Sequence, residues 1–316
     1  MRGAKVIEKK NVGIISGKGG VGKTSLVASL VSLANKDPDL KTIVLDCDVD
    51  APNLSLILPA MAEDAIKSQD IYATLKATFL EQKCVNCKKC IDEHFCEFHA
   101  LGWDDDNQVP VVDYLACEGC GACKFLCPEH AFEIDPIKSG IIVSYISEMG
   151  SPLVYGKTIL GSSTSGKLVS DVKEFVKNLK EFEESNLILI DGPPGIGCPV
   201  IATVSGLDYV ITITEPTPSG LHDLIRAIEV VQQFKIPFGI IINKSDLKSP
   251  FQDKFKDYID NTGFNILGKI PFDLSIPKAM SFAETVVDFA PDSKASLSIK
   301  KIYQNLKEIL WNNTLI

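Results

Sequence analysis

The chain has 316 residues, 45% of them hydrophobic, and a formal net charge of −9. This length allows one large core or two smaller ones, and the composition is ordinary for a globular protein. No run of 18 apolar residues occurs, which excludes a conventional membrane-spanning helix, and the charged start MRGAKVIEKK lacks the apolar stretch of a secretory signal. We therefore expect a cytoplasmic protein without a membrane anchor.

The first predicted elements are a strand, a glycine-rich turn and a helix. Val12–Ser16 is a short apolar run, and Lys23–Asn35 has apolar residues at helical spacing. Thr42–Leu45 is a second predicted strand, followed by the acidic sequence Asp46-Cys47-Asp48. A glycine-rich turn between a strand and a helix is the setting in which phosphate-binding loops occur.

The turn itself contains such a loop. Residues 17–24, GKGGVGKT, satisfy G-x4-G-K-[ST], and backbone N–H groups of this loop type converge on phosphates at a helix N-terminus. Lys23 is predicted to neutralise the β- and γ-phosphates, and the Thr24 hydroxyl to bind Mg²⁺. The residues predicted to bind ATP here are Gly17, Gly19, Gly20, Val21, Gly22, Lys23, Thr24 and Ser25.

Eight of the ten cysteines follow in one segment, as two runs. The first run is C-x2-C-x2-C-x5-C and consists of Cys84, Cys87, Cys90 and Cys96. The second run is C-x2-C-x2-C-x3-C, is followed by Pro128, and consists of Cys117, Cys120, Cys123 and Cys127. The second spacing is that of bacterial ferredoxins, in which the fourth thiolate of each run ligates the other cluster.

We therefore predict two [4Fe–4S] clusters with crossed ligation. Cys84, Cys87, Cys90 and Cys127 would hold one, and Cys117, Cys120, Cys123 and Cys96 the other. The first run departs from the pattern, because five residues separate Cys90 from Cys96 and Glu97 replaces the usual proline. Zinc is the alternative, since C-x2-C pairs also form zinc ribbons, although triplets at two-residue intervals are unusual for zinc.

Charge is concentrated in the cysteine-rich segment. Between Cys84 and Asp135 there are eleven acidic residues against three lysines, which is nearly the whole imbalance of the chain. Thiolate-ligated clusters would add further negative charge. This surface should repel nucleic-acid backbones and favour a protein partner with a basic surface.

Beyond the cysteines, short apolar runs alternate with helical stretches. The predicted strands are Leu187–Ile190, Tyr209–Thr214, Phe238–Ile242 and the weaker Ile266–Ile270, and the predicted helices cover about 166–179, 220–234 and 296–310. Continuous apolar runs fit strands buried on both faces of a parallel sheet. The alternation predicts a doubly wound α/β domain with a mostly parallel sheet, formed by residues 1–80 and 138–316. Residues 81–137 would form an inserted ferredoxin-like α+β domain.

Several of these motifs together resemble a known family. The loop KGGVGKT with its early Lys18, the acidic sequence DCDVDAPN and the later DGPPGIGCP are similar to the deviant Walker A ATPases of the MinD/ParA/Mrp superfamily, related to the nitrogenase iron protein. With the eight-cysteine insert, the chain resembles MinD-superfamily ATPases that contain a ferredoxin domain.

This resemblance implies roles for further residues. Lys18 would reach the partner's nucleotide across an ATP-sandwich homodimer. Asp48 would orient or activate the attacking water, and Asp46 or Asp50 would support Mg²⁺ or the switch. Asp191 would hold Mg²⁺ through a water. Asn243 and Pro271 would contact the adenine base.

Two cysteines, Cys47 and Cys198, fall outside the runs. We expect both to be buried free thiols, although a cluster bridging the dimer at Cys198 is left open by its position after the DGPPGIG motif.

The leading hypothesis is an ATPase that couples dimer switching to electron transfer, or to metal-cofactor maturation, on a partner protein. The alternatives are a MinD/ParA-like positioning or regulatory ATPase whose clusters stabilise the insert or sense oxygen, and an Mrp-like iron–sulfur cluster carrier. The sequence favours the first, because eight permanent ligands suit electron transfer better than cluster donation.

Overall fold

The computed structural model describes residues 7–162, 164–247 and 251–312. The strands are β1 (Lys10–Ser16), β2 (Thr42–Asp46), β3 (Lys67–Phe79), β4 (Leu101–Asp104), β5 (Val109–Val112), β6 (Phe132–Ile146), β7 (Pro152–Thr158), β8 (Leu187–Pro194), β9 (Tyr209–Thr214), β10 (Phe238–Asn243) and β11 (Ile266–Ile270). The helices are α1 (Lys23–Asn35), α2 (Lys89–Asp92), α3 (Ala122–Leu126), α4 (Ser165–Lys177), α5 (Lys180–Glu184), α6 (Cys198–Val204), α7 (Pro218–Gln233), α8 (Gln252–Thr262), α9 (Ser275–Ser281), α10 (Val286–Phe289) and α11 (Lys294–Asn312).

The chain folds into two units. The first contains the described residues up to Ser68, those from Ile142 to Lys157, and those from Ser165 onward. The second contains Gln69–Ile141 and the described residues of 158–164. The strands β3 and β6 each contribute residues to both units.

The first unit is built on a parallel sheet. Its strand order is β11-β10-β9-β1-β8-β2-β7-β6, and the pairs β1–β8, β1–β9, β2–β8, β2–β7, β9–β10 and β10–β11 are all parallel. Every residue of β2 and β9 is buried, as expected where helices cover both faces of a sheet. The predicted α/β class with a mostly parallel sheet is confirmed.

The strand order also fixes where a ligand can bind. The chain leaves β1 through α1 and crosses β8 to reach β2, whereas it leaves β8 through α6 and crosses β1 to reach β9. The two crossovers therefore run in opposite directions from the middle of the sheet. Such a reversal opens a crevice at the carboxyl ends of the strands, and the glycine-rich loop follows β1 at that edge.

The second unit contains both cysteine runs. β4 and β5 form an antiparallel pair, β3 lies beside β6, and the short helices α2 and α3 each carry one cysteine. Its core is small and combines Phe95, Phe132 and several alanines with four buried cysteines. The thiol groups are thus part of the packing of this unit.

Of the strands described, the five from β3 to β7 were not predicted from the sequence. β3 and β6 are long and contain many polar residues, and β7 (PLVYGKT) carries a glycine within its apolar run. A Cβ atom at Gly156 would lie 2.8–3.1 Å from Val49, Val172 and Leu168, so close packing against the strand requires glycine there. Within the described residues, no helix combines the length and the apolar character needed to cross a membrane.

Candidate nucleotide and thiolate sites

The phosphate-binding loop connects β1 to α1 at the crevice. Gly22, immediately before α1, has a φ of 91°, a left-handed conformation that side chains rarely adopt. A Cβ atom at Gly22 would also lie 2.4 Å from the Asn243 Nδ2 atom. Glycine at this position is therefore required both by the backbone and by the neighbouring side chain.

Lys23, Thr24 and Asp191 form one buried hydrogen-bonded group. Lys23 Nζ lies 2.5 Å from Asp191 Oδ1, and the Thr24 hydroxyl donates to Asp191 Oδ2 at 2.7 Å. Burial alone would lower the pKa of Lys23, but the carboxylates around it, Asp191 first, outweigh burial and raise it. The structure thus brings together three of the residues predicted to hold the phosphates or Mg²⁺.

The acidic loop after β2 separates Asp46 from Asp48. Asp46 is fully buried and accepts hydrogen bonds from the backbone N–H groups of Asp48, Asn53 and Leu54 at 3.0–3.1 Å. Burial and the nearby Asp191 carboxylate raise its pKa to about 7. Asp46 thus organises the loop and is not among the residues that line the crevice, whereas Asp48 does line it. Burial raises the pKa of Asp48 as well, despite the opposing charge of Lys23.

The crevice is a cavity of about 530 Å³. Of the predicted residues it is lined by Gly19, Gly20, Gly22, Lys23, Thr24, Ser25, Asp48, Asn243 and Pro271. The predicted residues that do not line it are Gly17, Lys18, Val21, Asp46 and Asp191, although Asp191 contacts two lining side chains. Phe272, which follows Pro271 in the loop predicted to contact the base, also lines the cavity. The other apolar residues of this wall were not predicted from the sequence and include Leu56, Ile57, Ile276, Pro277 and Met280.

Asn243, at the end of β10, connects the cavity wall to the phosphate loop. Its Nδ2 donates to the Val21 carbonyl at 2.7 Å, and its Oδ1 accepts from the Lys244 N–H at 2.9 Å. In this conformation the side-chain amide supports the loop backbone. The contact of Asn243 with adenine stays a prediction.

Lys18 does not line the cavity. Its Nζ lies 2.8 Å from Glu215 Oε1 and 3.3 Å from Ser219 Oγ, while Lys244 pairs with Glu215 Oε2 at 2.9 Å. Burial would raise the pKa of Glu215, but the two lysines reverse this and lower it. Glu215 directly follows β9, and its ion pair with Lys18 was not predicted from the sequence.

The eight cysteines of the second unit form two groups of four. The first thiolate group, Cys84, Cys87, Cys90 and Cys127, lines one cavity. The second thiolate group, Cys96, Cys117, Cys120 and Cys123, lines another. The two cavities are of similar size. The groups have the membership expected for crossed ligation, with the fourth cysteine of each run beside the other run.

The two groups are related by an internal repeat. Positive φ angles occur at the same two positions of each run, at Asn86 and Lys88 in the first and at Gly119 and Gly121 in the second. The hydrogen bond to the last cysteine of each run also repeats. The Ala100 N–H donates to Cys96 Sγ at 3.3 Å, and the Ala131 N–H donates to Cys127 Sγ at 3.4 Å. The longer Cys90–Cys96 spacing therefore leaves the position of Cys96 equivalent to that of Cys127.

Each group supplies the four thiolates that a four-iron cluster takes as ligands. Among the described residues, no three His, Cys, Asp or Glu side chains form a group that could hold a single metal ion. Backbone N–H groups also donate to Cys84 Sγ and Cys117 Sγ at 3.4 Å, and hydrogen bonds to sulfur are a common feature of such sites.

The two remaining cysteines differ from each other. Cys47 is buried, as predicted, and burial raises the pKa of its thiol. Cys198 was predicted to be buried and is exposed, because it is the first residue of α6, where the chain emerges from the loop after β8. It lines neither thiolate group.

Comparison with known proteins agrees with this architecture. The family model of the CobQ/CobB/MinD/ParA nucleotide-binding domain matches residues 12–304. The chain belongs to this family of P-loop nucleotide-binding proteins.

Particular relatives fall into three kinds. An uncharacterised protein of Methanocaldococcus jannaschii is 38% identical over 299 residues, covering 95% of this chain and 97% of the relative. An iron–sulfur cluster carrier protein of Pyrococcus furiosus is 25% identical, covering 95% of this chain and 88% of the relative. The solved structure of the septum site-determining protein MinD with Mg-ADP from Pyrococcus horikoshii has a TM-score of 0.58 at 18% identity, covers 98% of this chain and 100% of that chain, and shows the shared fold.

Proposed function

We propose that this protein is an ATPase with two iron–sulfur clusters, in which the nucleotide state of a homodimer controls electron transfer to, or cofactor maturation on, a partner protein. The observation that carries the proposal is the combination in one chain of a P-loop crevice and two equivalent groups of four cysteines. Clusters held by these cysteines would supply one-electron transfer.

At the nucleotide site the roles follow from the contacts. Lys23 would exchange its Asp191 contact for the β- and γ-phosphates of ATP, and Thr24 and Asp191 would then be free to hold Mg²⁺. Asp48 lines the cavity and would position the attacking water. Lys18, paired with Glu215, would exchange that contact for the nucleotide of the second subunit when the dimer closes.

One short stretch of chain supports coupling between nucleotide and clusters. In the second unit, the Ile159 N–H donates to the Ser139 carbonyl at 2.9 Å, and the Thr164 hydroxyl lies 3.3 Å from that of Thr74. In the first unit, the next residue, Ser165, donates to Asp50 Oδ1 at 2.8 Å. Asp50 belongs to the acidic loop that carries Asp48, so a movement of this loop on hydrolysis would pull on a covalently continuous segment.

A second candidate function is cluster delivery. It is favoured by the name of the Pyrococcus relatives, which are iron–sulfur cluster carrier proteins. The internal position of Cys90, Cys117, Cys123 and Cys127, all buried, argues for clusters that stay in place. Transfer of both iron and sulfide to an apo-acceptor would identify a carrier, whereas retention of iron during electron transfer would identify the redox function.

The proposal is tested on protein purified without air. We expect about eight iron atoms and eight acid-labile sulfides per chain, two interacting cluster signals by EPR after reduction, and Mg²⁺-dependent ATP hydrolysis. Light scattering should show a dimer with a non-hydrolysable ATP analogue. Zinc in place of iron, or a chain without metal, would refute the proposal.

A further inference from the structure

A lysine is buried beside the second thiolate group. Lys76, on β3, is 2% exposed, and its Nζ donates to the backbone carbonyl of Cys117. Across the described part of the chain, no carboxylate forms an ion pair with it. Burial of an ammonium group without a counter-charge is strongly unfavourable, and a neutral carbonyl does not supply that charge.

The lysine is fixed next to the thiolates by its own strand. The N–H of Ala77, the next residue, donates to Cys117 Sγ at 3.4 Å. On the other side, a Cβ atom at Gly119 would lie 2.2 Å from the Leu75 carbonyl oxygen. The segment 75–77 therefore lies directly against the loop 117–119, which holds the backbone of Lys76 beside Cys117.

The first thiolate group lacks this feature. Its cavity is lined by Lys88 and Lys89, of which Lys89 is exposed and Lys88 is partly exposed, with its Nζ 5.2 Å from the centre of the Trp103 ring. Water screens charges on such side chains, whereas a charge in a protein interior acts on its neighbours at low dielectric constant. The two otherwise equivalent groups thus differ in one buried positive charge.

We propose that Lys76 is the counter-charge of the second thiolate group and raises the reduction potential of the cluster held there. This inference rests on the proposed function, since it requires clusters at both groups. Reduction adds one negative charge, and the fixed ammonium stabilises the more negative state. The second cluster is accordingly the electron acceptor of the pair, and electrons pass from the first group to the second.

The test is a redox titration of the cluster-loaded protein in the absence of air, followed by EPR. Lys76→Gln keeps a hydrogen-bond donor for the Cys117 carbonyl without the charge, and Lys76→Met removes both. In either variant the equilibrium constant for reduction of the second cluster should fall at least about tenfold, which lowers its reduction potential by about 59 mV for a one-electron couple. The change at the first cluster should be smaller. Cys123→Ala removes a ligand of the second group, so the reduction step that this variant loses from the titration is the step of the second cluster.

Lys124 provides the matched control. Lys124 directly follows Cys123, a member of the second thiolate group, but its side chain is exposed and paired with Glu133. Lys124→Gln should therefore leave both reduction potentials almost unchanged. Unchanged potentials in iron-replete Lys76→Gln and Lys76→Met would overturn the inference while leaving the proposed function intact. A parent protein without clusters would overturn both. If the neutral variants lose the second cluster, Lys76→Arg decides: restored iron supports the counter-charge, and continued loss overturns it.

Discussion

Replacement of Lys23 by methionine should lower the rate of ATP hydrolysis at least about 100-fold, the usual effect of removing a positioned charge from a transition state. The same change should destabilise the fold by about 3–5 kcal/mol, because it leaves the Asp191 carboxylate buried without its cation. ATP turnover and urea denaturation of the purified variant measure the two effects separately.

Two variants serve as controls for the Lys23 result. The double variant Lys23→Met/Asp191→Asn removes both charges, so it should recover most of the lost stability but none of the hydrolysis. Lys18 belongs to the same loop, but its side chain is 39% exposed, and Lys18→Met should change stability by only about 0–1 kcal/mol. Parental hydrolysis in Lys23→Met would contradict the placement of phosphate at this loop.

Paired cysteine replacements should reveal crossed ligation through iron content. Cys90→Ala/Cys127→Ala removes two ligands from the first thiolate group, and about four iron atoms per chain should remain. Cys90→Ala/Cys96→Ala removes one ligand from each group, and both clusters should be lost or severely depleted. Iron and acid-labile sulfide are measured on protein purified without air.

The opposite pattern would demonstrate uncrossed ligation, in which each run holds its own cluster. Cys198→Ala is the control, because Cys198 is an exposed thiol outside both groups and its loss should leave about eight iron atoms per chain. A fall in iron in this variant would instead identify Cys198 as a ligand.

The features that were predicted correctly from the sequence depend on short-range patterns. The loop GKGGVGKT specifies its own backbone, and Gly22 adopts the positive φ that the turn requires. The apolar runs that became β8, β9 and β10 are buried on both faces, and such strands are recognisable without knowledge of their neighbours. The predicted α/β class followed from these local signals.

Features that depend on distant residues could not be predicted. Glu215 pairs with Lys18 across 197 positions, and nothing near either residue indicates the other. Lys76 lies in a polar stretch that has no apolar pattern typical of a buried strand, so its burial became visible only in the fold.

The central claim, that nucleotide state and cluster state are coupled, is tested most directly by one titration. The reduction potentials of both clusters are measured in the same air-free preparation, without nucleotide and with a non-hydrolysable ATP analogue, and Lys23→Met serves as the variant that should not respond. We predict that the analogue changes at least one potential in the parent and none in Lys23→Met. Identical potentials with and without bound analogue in the parent would contradict the coupling.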